Sequence, residues 1–302
     1  MSRWNFDEVE IARVLEFEMP LIAPEVLLPD ATPEAVAPHL DWLQPHLLDP
    51  ETGCLMMAFH SLVIRTDHHT IVVDTCGGND KPRPGKPRPG KPRYDRKRWP
   101  YLDALAAASV QPQDVDFVMC THLHVDHVGW NTRLENGRWV PTFPNAKYLF
   151  GRTEYDYWEA EWRKPDFPDD PYGLDSVLPV VEAGLAEFIE NDYGIDDAVT
   201  LEPTPGHTPG HLCLHVEGRT KGGGDAVLSG DLMHHALQCA HPEWNSVFCV
   251  DPEQSRATRR AFLERYADTD TLVMPAHFPT PTAGRVESTK GDGFRFAFVN
   301  GG

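Results

Sequence analysis

Apolar and polar positions alternate along this chain in short blocks, and the blocks predict its elements. Residues 60–75, HSLVIRTDHHTIVVDT, give two runs rich in β-branched side chains around a polar turn. That pattern predicts a hairpin whose second strand ends at Asp74, where CGGND breaks it. A short helix is expected within 99–110, WPYLDALAAASV. VDFVMCT (115–121) and AKYLF (146–150) read as strands, the first running straight into a cluster of histidines. DSVLPVVEAGLAEFIE (175–190) has helical spacing, weakened at Pro179. HLCLHVE (211–217) alternates, DAVLSGD (225–231) is a strand closed by Gly-Asp, QSRATRRAFLERYA (254–267) is an amphipathic helix, and TLVMPAH (271–277) is a further strand. Strands recur through both halves with helices between them, and no composition break marks a boundary. One domain over 1–302 is therefore expected, with a Pro/Lys/Arg-rich loop insertion at 79–98.

Four of the apolar runs lead to a side chain that can bind a metal. FVMC leads to His122, VTLEPTPG to His207, AVLSG to Asp231 and TLVMPA to His277. Ligands at the ends of separate strands can converge at one edge of a sheet, where rigid backbone fixes their geometry. The densest stretch is THLHVDHVGW (121–130), with His122, His124, Asp126 and His127 inside six residues. His122 and His124, two apart, can point the same way, and a turn can aim Asp126 and His127 at a second point nearby. One tetrahedral catalytic ion takes three protein ligands and an open position. These four with His207, Asp231 and His277 are too many for one ion and suit two. Burying so many imidazoles and carboxylates without a cation would leave polar groups poorly paired. His39, His46, His68, His69 and His241 stand apart and read as surface or satisfied core histidines.

Composition changes the picture in three places. The formal net charge is −19, which disfavours a nucleic acid partner. The charge is uneven, because KPRPGKPRPGKPRYDRKR (81–98) holds nine basic residues and one acid. Its proline density excludes a strand or a helix interior. As a lid it would draw anionic substrates to the site, but the plainer expectation is a solvated linker-like loop. The six cysteines form no CxxC pair and read as buried thiols. No apolar run is long enough to span a bilayer, and MSRWNFDEVEIARVLEFEMP lacks the pattern of a signal peptide, so a cytoplasmic location is expected.

HLHVDH resembles the HxHxDH motif of the metallo-β-lactamase superfamily. PGHTPGH around His207, LSGD ending at Asp231 and MPAH ending at His277 follow in the family's order, with TIVVDT upstream. The resemblance implies an α/β (α+β) fold, a four-layer αββα sandwich of two mixed β-sheets flanked by helices. It implies that His122, His124 and His207 hold one divalent metal ion, that Asp126, His127 and His277 hold a second, and that Asp231 bridges both. Zinc is the expected ion, and such ligands also admit Mn, Fe or Co. Asp74, and His211 beside the site, are expected to support the ligands. The implied chemistry is hydrolysis by a hydroxide held between the metals, with Asp126 or Asp231 passing a proton to the leaving group.

Within the superfamily, the nucleic acid branch is disfavoured by charge, and the flavodiiron branch by its different motif and added domain. Glyoxalase II enzymes share the seven ligands but usually carry a basic C-terminal region, whereas GRVESTKGDGFRFAFVNGG has three basic residues. SGDLMHHALQCAHPEWNS followed by DPEQSRATRRAFLE is similar to the group containing N-acyl homoserine lactonases and methyl parathion hydrolase. That resemblance implies a small-molecule substrate: an acyl homoserine lactone-like lactone, an aryl ester or an organophosphate. The alternatives are a glyoxalase II-type thioester hydrolase, a β-lactamase-like amide hydrolase, and a non-catalytic metal-dependent binding protein. The resembling group also admits a homodimer. Trp130, Met233, His234 and Phe278 lie next to ligands in sequence and are candidates for an apolar pocket, with plain packing as the rival reading for Trp130 and Phe278.

Overall fold

The computed structural model describes residues 2–83, 95–164, 172–218 and 224–301. In chain order the strands are β1 (Arg3–Phe6), β2 (Val9–Ile22), β3 (Leu55–Arg65), β4 (Thr70–Val73), β5 (Phe117–Met119), β6 (Thr132–Glu135), β7 (Arg138–Pro141), β8 (Lys147–Gly151), β9 (Ala186–Ile189), β10 (Val199–Pro203), β11 (Leu212–Glu217), β12 (Asp225–Gly230), β13 (Leu272–Pro275), β14 (Gly284–Ser288) and β15 (Phe294–Phe298). The helices are α1 (Pro24–Leu27), α2 (Pro33–Val36), α3 (Leu40–Leu43), α4 (Tyr101–Ala107), α5 (Arg152–Trp162), α6 (Leu178–Glu182), α7 (Leu237–Ala240) and α8 (Pro252–Tyr266). One mixed sheet runs β1-β2-β3-β4-β5-β8-β9 and a second runs β10-β11-β12-β13-β14-β15, while β6 and β7 form a separate hairpin.

Strand periodicity builds the layers. On β3 and β4, Leu62, Ile64, Ile71 and Val73 join an apolar cluster with Leu212, Leu214, Val216, Leu228 and Met274 of the second sheet. Their alternates Val63 and Val72 turn the other way, onto Leu105 of α4 and Tyr155 and Trp158 of α5. Cys213, Val227 and Val273 likewise leave the inter-sheet cluster to meet Phe262, Leu263 and Tyr266 of α8. A residue period of two thus assigns each side chain to a face, giving helices, sheet, sheet, helices. The strands between are buried on both faces and read as nearly continuous apolar runs.

Two expectations need correction. Residues 175–190 are not one helix: α6 stops at Glu182, Gly184 takes φ +72°, and Ala186–Ile189 pairs in parallel with β8 as an edge strand. The left-handed glycine ends the helix, and AEFI finds ladder partners that a helix would not offer. The cysteines are all free, but Cys54 and Cys249 are half-buried rather than buried.

The tandem KPRPG repeat lies almost wholly outside the described residues, so the choice between lid and linker does too. Its root is firmly held. Lys81 Nζ donates to Thr132 Oγ1 and to the Asp175 carbonyl, and Arg83 grips the Asp175 carboxylate with both terminal nitrogens at 2.6 and 3.0 Å. Among the described residues, no helix is long and apolar enough to cross a membrane.

Candidate metal centre

Parallel strands β4 and β5 deliver two loops side by side at one edge of the first sheet. Asp74, with φ +55°, turns its carboxylate onto the neighbouring loop. It accepts from Thr121 N and Oγ1, both at 2.8 Å, and from His127 Nδ1 at 2.8 Å. The backbones then zip together: Thr75 N donates to His127 O, Gly129 N to Cys76 O and Trp130 N to Thr75 O, each at 2.7 Å. A Cβ at Gly129 would stand 2.0 Å from the Gly77 carbonyl carbon, so this approach requires glycine.

Strand ends bring the other ligands to the same edge. β10 stops four residues before His207, β12 one before Asp231 and β13 two before His277. His122 Nε2, His124 Nδ1 and His207 Nε2 lie 2.9–3.2 Å apart. Asp231 Oδ2 faces them, 3.7 Å from His122 Nε2 and 3.4 Å from His207 Nε2. Asp231 Oδ1 faces the other way, 3.2 Å from His127 Nε2 and 3.1 Å from His277 Nε2. Asp126 closes that second group, with Oδ2 3.6 Å from His277 Nε2 and Oδ1 3.9 Å from His127 Nε2. Ligand atoms of His122, His124, His207 and Asp231 all lie within 4.8 Å of one another, and so do those of Asp126, His127 and His277.

The chemistry of the donors tests whether cations fit. His277 Nδ1 lies 3.1 Å from the Ala58 carbonyl, which can only accept, so Nδ1 carries the proton and the neutral ring turns a lone pair inward. His127 donates its outer nitrogen to Asp74 in the same way. Inward lone pairs then face carboxylate oxygens, an arrangement that is repulsive unless a proton or cation lies between them. His127 Nε2 and Asp231 Oδ1 are buried without a hydrogen-bond partner. The spacing near 3 Å is close to the separation of about 3.3 Å expected between ligands about 2.0–2.1 Å from one tetrahedral ion. Both groups fit a divalent metal ion.

Their electrostatics differ. Burial pushes His122 and His207 well below the ordinary imidazole range and His124 down to about 4. Burial also acts on His127, but Asp231, Asp74 and Asp126 more than reverse it and raise its pKa well above that range. Asp231 and Asp126 similarly overturn burial at His277 and raise it. Asp231 meets burial too, yet His127, His277 and His234 around it hold it well below the usual carboxylate range.

The family profile of the metallo-β-lactamase superfamily matches residues 60–277. The chain belongs to the metallo-β-lactamase superfamily. An N-acyl homoserine lactonase of Bacillus thuringiensis is 31% identical over 130 residues, 43% of this chain and 43% of that relative's length. The N-acyl homoserine lactonase AttM of Rhizobium radiobacter is 32% identical over 196 residues, 60% of this chain and 67% of its own length. Among solved structures, AidC, a dizinc quorum-quenching lactonase in complex with a product, superposes with TM-score 0.77 at 20% identity, covering 99% of this chain and 98% of that one. The hydrolase AbOPH gives TM-score 0.76 at 21% identity over 99% and 97%. At these identities the structures share the fold.

Of the residues expected to line the pocket of this metallo-β-lactamase chain, three sit in its core. Trp130 is 4% exposed, stacks on Tyr101 at 5.1 Å and donates Nε1 to Glu16 Oε1 at 2.7 Å. Met233 packs beside Cys239, and Phe278 is fully buried against Phe296. His234 does reach the centre, with Nε2 3.3 Å from Asp231 Oδ2 and no hydrogen bond at either nitrogen. Its neighbour His235 turns into the core and donates to Leu47 O at 3.0 Å. His211 accepts from the Asp231 amide at 3.1 Å and meets Thr204 Oγ1 with its other nitrogen. His39 and His241, unrelated in sequence, pair at 2.8 Å away from the metal groups.

Sequence reasoning missed several residues. Buried Glu16 sits at a bulge in β2 and accepts from Gly77 N, Gly78 N and Trp130 Nε1, bracing both metal loops. An acid inside the run VLEF was the signal available. Burial raises its pKa to about 7 against the pull of those donors. Buried Glu154 accepts from Leu123 N, Trp158 Nε1 and Gly210 N. At the start of a helix an acid is unremarkable, so nothing flagged it. Trp158 presents its ring 5.1 Å from His124, and partly exposed Phe248 lies 6.2 Å from His234.

Proposed function

We propose that this chain is a dinuclear metal-dependent hydrolase that opens a lactone or related ester, with an acyl homoserine lactone-like substrate as the first class to test. The observation that carries the reading is Asp231, whose carboxylate lies between the two ligand groups, 3.1–3.7 Å from imidazole nitrogens of each. Six neutral or carboxylate ligands around one shared acid suit two zinc ions, and Mn, Fe or Co share these preferences. When bound, two such cations acidify the attacking water and polarise the scissile carbonyl.

The chain's own groups supply the rest. Asp74, Ala58 and Thr121 fix the outer nitrogens of His127, His277 and His122, so the inner nitrogens hold one geometry. Asp231 is 4% exposed at its side chain and enclosed by the imidazoles of both groups, whereas Asp126 is 23% exposed. Asp126 is therefore the carboxylate that a leaving alkoxide can reach, and we assign it the proton transfer that completes ring opening. His234 stands on the far side of Asp231, placed to donate to a substrate oxygen. Phe248 beside His234, and the 8% of Trp158 left exposed beside His124, offer apolar surface for a substrate's hydrocarbon arm.

The test is Asp126→Ala and His127→Ala, with metal content measured alongside hydrolysis. The panel is acyl homoserine lactones, aryl esters, phosphotriesters and S-lactoylglutathione. We expect kcat/KM for the best lactone to fall at least about 100-fold. A variant that keeps full metal content and full activity would make the dinuclear mechanism wrong. A strong preference for S-lactoylglutathione would move the chain to the thioester hydrolases.

A further inference from the structure

Three of the histidines come from two loops that no strand pairing joins at the ligands themselves. His122 and His124 flank Leu123, and His207 lies three residues before Gly210. Behind the ligands Leu212 N donates to Thr121 O at 2.9 Å, and at the ligands themselves a side chain ties the loops. Glu154, 1% exposed in the first turn of α5, accepts from Leu123 N with Oε1 at 2.9 Å and from Gly210 N with Oε2 at 3.0 Å. Oε1 also accepts from Trp158 Nε1 at 2.7 Å, one helical turn on. The approach is close enough that a Cβ on Gly210 would stand 2.4 Å from Glu154 N.

We propose that Glu154 is the positioning residue of the His122–His124–His207 group: its carboxylate fixes the two ligand loops against each other and sets Trp158 as the wall beside His124. The proposal rests on the dinuclear reading above. Leu123 N belongs to the residue between two ligands, so a displacement of that amide moves both imidazoles. Gly210 N does the same for the turn that carries His207. A buried carboxylate with three N–H donors is a strong and directional tie, and each donor left without it would be buried and unpaired.

The test measures metal affinity without substrate, by competition with a chromophoric chelator, and follows Co2+ absorption in the protein. Glu154→Gln keeps shape and two of the acceptor contacts but turns an amide N–H towards a donor. We expect it to weaken the ion of the His122–His124–His207 group about 10–100-fold, with the Co2+ band of that ion shifted and the other ion held within about threefold. Trp158→Phe removes one donor and spares both loops, so its metal affinities should stay within about threefold while KM for long-chain substrates rises. Gly210→Ala, which keeps the carboxylate but forces the His207 turn away from the start of α5, should weaken the same ion as Glu154→Gln. If Glu154→Gln and Gly210→Ala lower the melting temperature but leave both affinities and the Co2+ spectrum as in the wild type, Glu154 is only structural and the proposal is overturned. A wild type that binds one ion or none sinks the dinuclear reading instead, so the two failures are distinguishable.

Discussion

The two ligand groups share an aspartate yet are held by different means. In the group of His122, His124 and His207 the imidazoles have lowered pKa values, and a carboxylate, Glu154, grips the backbones of their loops. In the group of Asp126, His127 and His277, carboxylates touch or face the imidazoles directly, and the histidines are raised instead of lowered. One group is thus prepared for a cation by geometry. The other is a charge cluster, in which carboxylates raise the affinity of the imidazoles for a proton and favour a cation for the same reason. This difference separates position from charge as ways of holding a metal, and each can be perturbed alone.

The largest effect falls on what the groups share. Asp231→Asn leaves the shape but removes the charge that faces five imidazoles, those of His122, His127, His207, His234 and His277. Both ions should be lost at micromolar zinc, with hydrolysis down at least about 1,000-fold. Metal analysis after gel filtration reads the first, and initial rates on the substrate panel read the second. Retention of one tightly bound ion would mean that Asp231 serves a single group.

Next comes Asp74→Ala, which takes the acceptor from His127 Nδ1 and from both donors of Thr121. Loss of such an outer partner costs about 10–100-fold in metal affinity. The Asp126–His127–His277 ion should bear most of it, the mirror image of the Glu154→Gln pattern. Unpaired buried donors should also cost about 1–3 kcal/mol of stability each. If Asp74→Ala and Glu154→Gln weaken the same ion, the division between the groups is wrong.

Acidification should separate the groups without any mutation. His127 and His277 have raised pKa values, so they gain protons first as pH falls, and metal binding there must displace them. His124, at about 4, and the lowered His122 and His207 stay neutral well below the ordinary histidine range. Between about pH 8 and about pH 6, in buffered zinc, the second group should lose affinity steeply while the first changes little. Stoichiometry at each pH, and proton release measured by calorimetry in two buffers, check this. Equal loss from both groups would erase the contrast.

The candidate ligands were legible because four of them follow apolar runs that read as strands, and because HxHxDH compresses four into six residues. The sandwich followed from the resemblance that these motifs carry. What holds the ligands was far less legible. Glu154 lies 31 residues from Leu123 and 56 from Gly210, and Glu16 lies 114 from Trp130. Such partners are set by tertiary packing that no local period encodes. Adjacency misled for a related reason. Met233 and His234 are neighbours near the end of a strand, where one faces the core and the other the metal group. Residues 186–189 misled because a four-residue edge strand after a helix keeps the apolar content of a longer helix.

The smallest effect is expected at Trp130, whose two readings the comparison of groups can now decide. Its indole donates to Glu16, which also takes the amides of Gly77 and Gly78, so it braces the loop beneath Asp126 and His127. Trp130→Phe keeps the stack on Tyr101 and loses one hydrogen bond, worth about 0.5–1.5 kcal/mol. Denaturant unfolding should show that loss, with affinity for the Asp126–His127–His277 ion lowered a few-fold and the other ion unchanged. KM should hold across substrates of different chain length, because a side chain sealed between Tyr101 and Glu16 does not meet them. A KM that rises with chain length in Trp130→Phe would return this residue to the pocket and make Trp158 and Phe248 the packing residues.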